Sequence, residues 1–179
     1  IHVLHRGDIL SPKQVVGPGT VPIIAEKPSR FDLPDNAPEG ERRAALARWI
    51  TDEQNPLTWR SIVNRVWQYH FGQGLVKTPS DFGVRSGHPS HPDLLDWLAT
   101  EFSERKWSLK EMHKLLMTSD AYQRSSNVPE AARQQDPANA LLSHMSRRRL
   151  QAEEIRDSVL QVSGALNLKA GGMPVVPPL

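Results

Sequence analysis

Residues 55–72 read NPLTWRSIVNRVWQYHFG, and they carry the clearest helical pattern in the chain. Apolar and aromatic side chains recur there at intervals of three and four residues, together with one histidine: Trp59, Ile62, Val63, Val66, Trp67, His70 and Phe71. Asn55 is a favoured N-cap, Pro56 suits the first helical position, and Gly72 suits the left-handed residue that ends a helix. The stretch therefore predicts an amphipathic helix with defined ends.

Helical patterns continue on both sides of this stretch. The segment before it places Ala45, Leu46, Trp49 and Ile50 on one face. Ser108 and Glu111 have the spacing of a capping box, and Ser90 to Asp93 have a similar spacing with Asp in place of Glu. We predict five further helices, over about 39–52, from 90, from 108, over 138–144 and over 150–163.

The first 38 residues are expected to be irregular. Pro22, Pro28 and Pro34 exclude a long helix there, although Ile1 to Leu4 suit one short strand and Arg6-Gly7-Asp8 suits a turn. The fold class we predict is mainly α, an irregular helical bundle with an extended N-terminal arm and long packed loops. The expected divisions are an arm over 1–38, a helical domain over 39–166 and an extended tail over 167–179.

Composition limits the classes of function. The chain has 179 residues, 38% of them hydrophobic, which is enough for one domain with a sizeable core. It has no cysteine, which excludes disulfides, thiolate metal sites and covalent haem attachment within this segment. The apolar runs are too short to span a bilayer, so we expect no membrane span. Neither end resembles a natural terminus or a signal segment, so we expect a piece of a larger protein.

The charge balance argues against a nucleic-acid partner. The formal net charge is only +2, whereas nucleic-acid binding usually requires a concentrated basic face. The 22 basic residues comprise 15 Arg and 7 Lys, and arginine is preferred where planar, bidentate contacts to anions are needed. The simplest interpretation of this excess is ion pairing between helices.

The best polar cluster lies in the loop before the predicted helix at residue 90: Asp81, Arg85, His88, His91 and Asp93. Imidazoles and carboxylates at close range suit a divalent metal, with His88 and His91 as the candidate ligands. No fixed helical phase aims those two rings at one ion, however. We therefore predict no metal here, and prefer a capping turn whose polar groups satisfy the loop backbone.

Two other polar features have both a structural and a functional interpretation. His70 lies on the apolar face of its helix, where a hydrogen-bonded rim residue is more common than a catalytic base. Arg147, Arg148 and Arg149 precede the last predicted helix and suggest an anion patch. Because adjacent helical residues point in different directions, pairing with the acids of that helix is the alternative we favour.

Separated motifs, in the same order, resemble one bacterial family: Asn55-Pro56-Leu57-Thr58, Asn64-Arg65-Val66-Trp67-Gln68, Phe71-Gly72-Gln73-Gly74-Leu75-Val76, Asp81-Phe82-Gly83, Pro89-Ser90-His91-Pro92, Leu94-Leu95-Asp96-Trp97-Leu98, Ser119-Asp120-Ala121-Tyr122 and Arg148-Arg149-Leu150-Gln151-Ala152-Glu153. The chain resembles the planctomycete-specific C-terminal domain of unknown function from about Arg6 to Gly172. This resemblance implies an exported or periplasmic protein whose haem c lies on an upstream cytochrome-c-like module. It implies no catalytic residues and no cofactor within this segment.

The function we expect is a scaffold or interaction module of a larger cytochrome-c-containing exported protein, not an independent enzyme. Its expected partners are other domains of the same polypeptide. The alternative from a different class is a metal-dependent or hydrolytic domain that acts on an extracellular polymer. The arginine excess suggests an acidic polysaccharide as the substrate in that case.

Overall fold

The protein is mainly α, as a computed structural model describes it over residues 2–24, 27–83, 85–169 and 171–172. Those residues form two compact units, Ile1–Met145 and Ser146–Leu179. The first unit contains the strands β1 (His2–His5) and β2 (Asp8–Val15), followed by six helices: α1 (Glu39–Ile50), α2 (Pro56–Phe71), α3 (Pro92–Glu104), α4 (Leu109–Met117), α5 (Asp120–Gln123) and α6 (Glu130–Gln135). The second unit contains α7 (Ala152–Val162). Most of the expected extended tail over 167–179 lies outside the described residues.

The N-terminal arm begins as an antiparallel hairpin of β1 and β2. Arg6 and Gly7 connect the strands with φ angles of 50° and 82°, as the two-residue turn favoured in hairpins requires. The Asp8 carboxylate accepts hydrogen bonds from Leu10 N (2.9 Å) and Ser11 Oγ (2.8 Å). The turn at Arg6-Gly7-Asp8 agrees with the expectation, but the arm has two strands where only one was expected.

The junction of α1 and α2 is held by side chains that bond to the end of α1. The last carbonyls of a helix have no partner within it. Asn55 Nδ2 donates to Trp49 O (3.1 Å), and Thr58 Oγ1 donates to Ile50 O (2.8 Å). The Asn55 side chain also caps α2 through Leu57 N at 3.2 Å. Residues at the start of α2 therefore both begin that helix and fix α1 beside it.

The core of the first unit lies between α2, α3 and α4. Its buried apolar side chains come from these helices and from the loop after α2: Trp59, Val63, Val66, Trp67, Phe71, Leu75, Val76, Leu95, Leu98, Ala99, Phe102, Met112 and Leu116. Burying a side chain of the size of leucine contributes about 1.5–3 kcal/mol. The α2 face expected from the sequence is therefore the face that the core uses.

Asn64 fastens the loop after α2 to the core. This side chain is fully buried; its Nδ2 donates to Val76 O (3.0 Å), and its Oδ1 accepts from Val76 N (2.9 Å). Ser90 N also donates to Leu75 O at 2.9 Å. Leu75 and Val76 can therefore enter the core without leaving these peptide groups unpaired, which would cost free energy.

The predicted helix over 138–144 does not form. Asn139 and Leu142 have positive φ angles of 50° and 55°, which an α-helix does not allow. The Asp136 carboxylate instead accepts from Ala140 N (2.8 Å) and Leu141 N (2.7 Å). The short helices α5 and α6 lie earlier in the chain, outside the predicted helices.

In the second unit, α7 starts and ends close to the expected positions of 150 and 163. The Glu154 side chain accepts from Gln151 N at 2.8 Å, which satisfies one of the free N–H groups at the start of the helix. Ser163 follows its last residue, and Gly164 has a φ of 73°. The helix therefore ends where a left-handed glycine terminates it.

Substitutions at two glycines, Gly74 and Gly87, test how closely the loop packs against Asn64. A Cβ atom at Gly74 would lie 2.5 Å from Val76 O and 2.8 Å from Asn64 Nδ2. We expect Gly74→Ala to lower the free energy of unfolding by about 1–3 kcal/mol, because backbone and buried amide must both move. Gly87→Ala is the control, because a Cβ atom at Gly87 would have no neighbour within 4 Å. It should change the free energy of unfolding, measured by urea denaturation, by less than about 0.5 kcal/mol. Equal effects of the two variants would contradict this packing.

Candidate functional site

The predicted polar loop is organised mainly by contacts within itself. Asp81 Oδ1 accepts from Gly83 N (2.9 Å), and His91 Nδ1 lies 3.0 Å from Ser90 Oγ. His91 is half-buried at the N-cap of α3, whereas Asp81, Arg85, His88 and Asp93 are exposed. The carboxylate of Asp81 is thus used to stabilise a turn of the loop.

The structure does not bring the loop's ligand candidates together as a metal-binding group. Within residues 2–24, 27–83, 85–169 and 171–172, no three side chains of His, Asp or Glu are grouped closely enough to hold an ion. Asp81, His88 and His91 therefore do not form such a group. The polar-site hypothesis stays a prediction, to be tested by metal analysis of the protein with and without His91→Ala.

The arginine run Arg147–Arg149 lies in extended chain before α7, and all three side chains are exposed. Arg148 Nη2 lies 3.6 Å from Glu154 Oε1, so one of the three pairs with an acid of the following helix. Exposed pairs of this kind contribute about 0–1 kcal/mol. The anion patch stays a prediction.

A cleft of about 840 Å³ lies between the arm and α1, and its lining includes Arg30 from the arm and the adjacent Arg42 and Arg43 from α1. Arg30 Nη1 donates to Gly17 O (2.8 Å), and Arg42 Nη2 donates to Asp35 O (2.9 Å). Arg43 forms an ion pair with Glu39 one helical turn earlier. We call this set of residues and the space between them the arginine cleft.

Two buried polar atoms of the arginine cleft lack a hydrogen-bond partner among the described residues. They are Thr20 Oγ1 and Arg42 Nε, and both side chains line the cleft. An unpaired buried donor or acceptor costs about 1–3 kcal/mol, so such groups usually mark strain, an unseen water or a ligand. Guanidinium groups around a cleft of this size suit carboxylates or phosphates, which accept two N–H bonds at once.

A salt bridge ties the arm to the end of α1. Lys27 Nζ lies 2.6 Å from Asp52 Oδ2, and the lysine side chain is only 9% exposed. The hydrogen bond from Lys27, followed by the bond from Gln54 N, holds the pKa of Asp52 below its ordinary value of 3.8. This contact fixes the arm next to the helix that forms the other side of the arginine cleft.

Two histidines from neighbouring helices also meet. His70 Nε2, near the end of α2, lies 2.8 Å from His113 Nδ1 on α4. The Tyr122 ring packs edge-on against His70, with ring centroids 5.5 Å apart. His70 is therefore a half-buried, hydrogen-bonded rim residue of the core.

Sequence reasoning missed most of these groups. His113 follows a core methionine on a short helix, and nothing local associates it with His70, which lies 43 residues earlier. Arg42 and Arg43 were visible on the polar faces of α1, and the arginine excess was the one available signal for a cationic site. Their association with Arg30 depends on how the arm folds back over α1.

The described helices show no membrane-spanning candidate. None of them is both long enough and apolar enough to cross a bilayer. The longest, α2, has 16 residues, whereas a spanning helix needs about 20.

Together the fold and the site define a mainly α domain with a cationic cleft beside its first helix. Residues 42–179 match the family described as PSD1, protein of unknown function (DUF1553), and the chain belongs to this family. The match begins in α1 and includes the whole core and the polar loop. No curated protein and no solved structure matches the chain.

The Lys27–Asp52 pair gives a pH prediction. Because the folded-state pKa of Asp52 is below 3.8, its contribution to stability is present above about pH 4 and is lost as the pH falls through the lower folded value. Lys27→Met should therefore lower the free energy of unfolding at about pH 7 by up to about 1 kcal/mol, a modest amount because the carboxylate is partly exposed. The difference from the parent should shrink at about pH 2–3.

Chemical denaturation at several pH values measures this difference. Lys77→Met, at an exposed lysine, is the control and should leave the stability unchanged at both ends of the range. A Lys27→Met effect that is the same at neutral and acid pH would show that Asp52 is not its cause.

Proposed function

We propose that the chain is an interaction module that docks another domain of the same polypeptide on its N-terminal hairpin. In this proposal the larger protein is exported or periplasmic, and one of its upstream domains is a cytochrome-c-like module that carries haem c. Both features follow from the sequence resemblance to a planctomycete domain. The observation that carries the docking role is the exposure of the hairpin over 2–15.

The hairpin presents apolar side chains on both of its faces. Ile9 is 81% exposed and Leu10 is 90% exposed. Successive side chains of a strand point to opposite faces, so Ile9 and Leu10 lie on opposite faces of the hairpin. A single surface packed against one face would therefore cover only one of them. Val15, at the end of β2, is also 59% exposed. Such a concentration of uncovered apolar surface favours a docking partner.

The hairpin is also incomplete as a sheet. Two strands alone are marginally stable in water, and each outer edge carries unpaired N–H and C=O groups. An added strand would satisfy those groups, and an apolar partner surface would cover Ile9 or Leu10. The hairpin precedes the family match at 42–179, on the upstream side where the resemblance places the other modules.

The division of the chain into an arm, a helical domain and a tail is part of the same proposal. The arm over 1–38 makes the docking contact. Within the first unit, the helical domain over 39–166 holds the arm through Asp52, which pairs with Lys27.

Hydrogen exchange tests the docking proposal. In the full-length polypeptide, backbone amides of residues 2–15 should exchange about tenfold or more slowly than in the 179-residue chain alone, because a partner covers them. The double variant Ile9→Asp/Leu10→Asp should abolish that added protection. Leu141→Asp, at a residue 71% exposed elsewhere, should keep it. Equal exchange of the hairpin in the full-length protein and in the shorter chain would refute the proposal.

A second candidate function is supported by the arginine cleft. The alternative from the sequence is a hydrolytic or metal-dependent domain that acts on an acidic extracellular polymer. Arg30, Arg42 and Arg43 around a cleft of about 840 Å³ favour the binding of acidic groups, which is the first requirement of such a function. The same cleft would serve an acidic-polymer binding module without hydrolysis.

Polygalacturonate is a suitable probe for the arginine cleft. We expect it to bind at low salt, with an affinity about tenfold weaker in Arg30→Gln/Arg43→Gln, because two of the three guanidinium groups are removed. Arg133→Gln, at an exposed arginine paired with Glu130, is the control. Calorimetry measures the binding, and an assay for new reducing ends distinguishes hydrolysis from binding alone. Unchanged affinity of the double variant would exclude the cleft as the binding site.

A further inference from the structure

The His70–His113 pair brings imidazole nitrogens from two different helices of the first unit into direct contact. His70 Nε2 and His113 Nδ1 are 2.8 Å apart, and the ring planes are inclined at 66°. Only one hydrogen can lie between the two nitrogens, so at least one of them directs a lone pair into the space they share. The neighbouring nitrogen does the same once its hydrogen moves to the other ring position.

This spacing is close to that of two ligands on one metal ion. Imidazole nitrogens bind zinc at about 2.0–2.1 Å, which places two tetrahedral ligands about 3.3 Å apart. An opening of about half an ångström would convert the hydrogen-bonded pair into a chelating pair. Both imidazole rings must also turn so that their lone pairs meet at the ion. The donor imidazole keeps its hydrogen on its other ring nitrogen, so a neutral pair binds the ion without net loss of a proton.

Rigid helices hold the two rings in position. Phe71, next to His70, is a core residue, and Met112, next to His113, is fully buried. Tyr122 restricts the His70 ring further through its edge contact with that ring. Ligands that project from packed helices lose little freedom on binding, which favours an ion that fits between them.

We propose that His70 and His113 chelate a divalent transition-metal ion that links α2 to α4. Imidazole suits Zn²⁺, Ni²⁺ and Cu²⁺, whereas Mg²⁺ prefers oxygen ligands. Water completes the coordination on the side where His113 is exposed. The site is independent of the docking hairpin, and it differs from the polar loop, where the sequence suggested His88 and His91.

Two isosteric variants separate metal binding from the structural role of the hydrogen bond. An asparagine amide matches the position of an imidazole Nδ1 atom, and a glutamine amide matches the position of Nε2. His113→Asn and His70→Gln therefore retain a hydrogen-bonding group at the contact but remove the imidazole ligand. Thermal unfolding without metal reports any loss of structure in these variants.

The experiment is calorimetric titration with ZnCl₂ and NiCl₂ and thermal unfolding with the same salts, in a non-chelating buffer. We expect one ion per chain with a Kd of roughly 1–100 µM, and a rise in Tm of roughly 5–10 °C at a hundredfold excess over Kd. The Tm rises because the folded chain holds together two ligands that are 43 residues apart in sequence. MgCl₂ should produce no rise.

The variants decide the outcome. His113→Asn and His70→Gln should each weaken binding about tenfold or more and lose the metal-dependent rise in Tm, while their metal-free Tm stays near that of the parent. His88→Ala/His91→Ala and His2→Ala/His5→Ala should bind as the parent does. Loss of binding in either alanine pair would overturn the proposal. Binding unchanged in His113→Asn, or no metal-dependent shift in the parent, would overturn it as well.

Discussion

The two hydrogen bonds between the Asn64 amide and the Val76 backbone are the constraint on which the first unit depends. They let a side chain in the middle of α2 pair with the following loop as a neighbouring strand would. Because Val76 is satisfied in this way and Leu75 O accepts from Ser90 N, both residues enter the core. The loop then returns directly to the start of α3. Without these bonds, buried peptide groups would be left unpaired and α3 would lose its position against α2.

The surfaces with functional interest lie outside that core. The hairpin, the arginine cleft and the His70–His113 pair all use side chains that the packing of α2, α3 and α4 does not require. Of the three, only the His70–His113 pair is carried directly by core helices, α2 and α4. In the polar loop, by contrast, the Asp81 carboxylate accepts a hydrogen bond from Gly83 N within the same turn.

Local sequence signals predicted where α2 and α4 begin, because each N-cap bonds within a few residues of itself, as Asn55 does with Leu57 and Ser108 with Glu111. The same signals failed over 138–144. There, Asp136 bonds to the backbone and Asn139 Nδ2 donates to His144 O (2.8 Å), and such side chains compete with the helix for its backbone partners. In the arm, Pro12 lies within β2, opposite Leu4, at an irregular pairing. A proline usually argues against a strand, so β2 is difficult to predict from the sequence.

The sequence by itself determined the helical class, the apolar face and ends of α2, the position of α7 and the absence of thiol chemistry. These properties depend on the spacing of residues along one helix or on composition alone. Tertiary structure decided which polar groups meet. Asn64 reaches Val76 across 12 residues, His70 reaches His113 across 43, and Arg30 joins Arg42 only when the arm folds back on α1. A helical pattern fixes the direction of each side chain around its own axis, but the packing of the elements determines which side chains come within bonding distance.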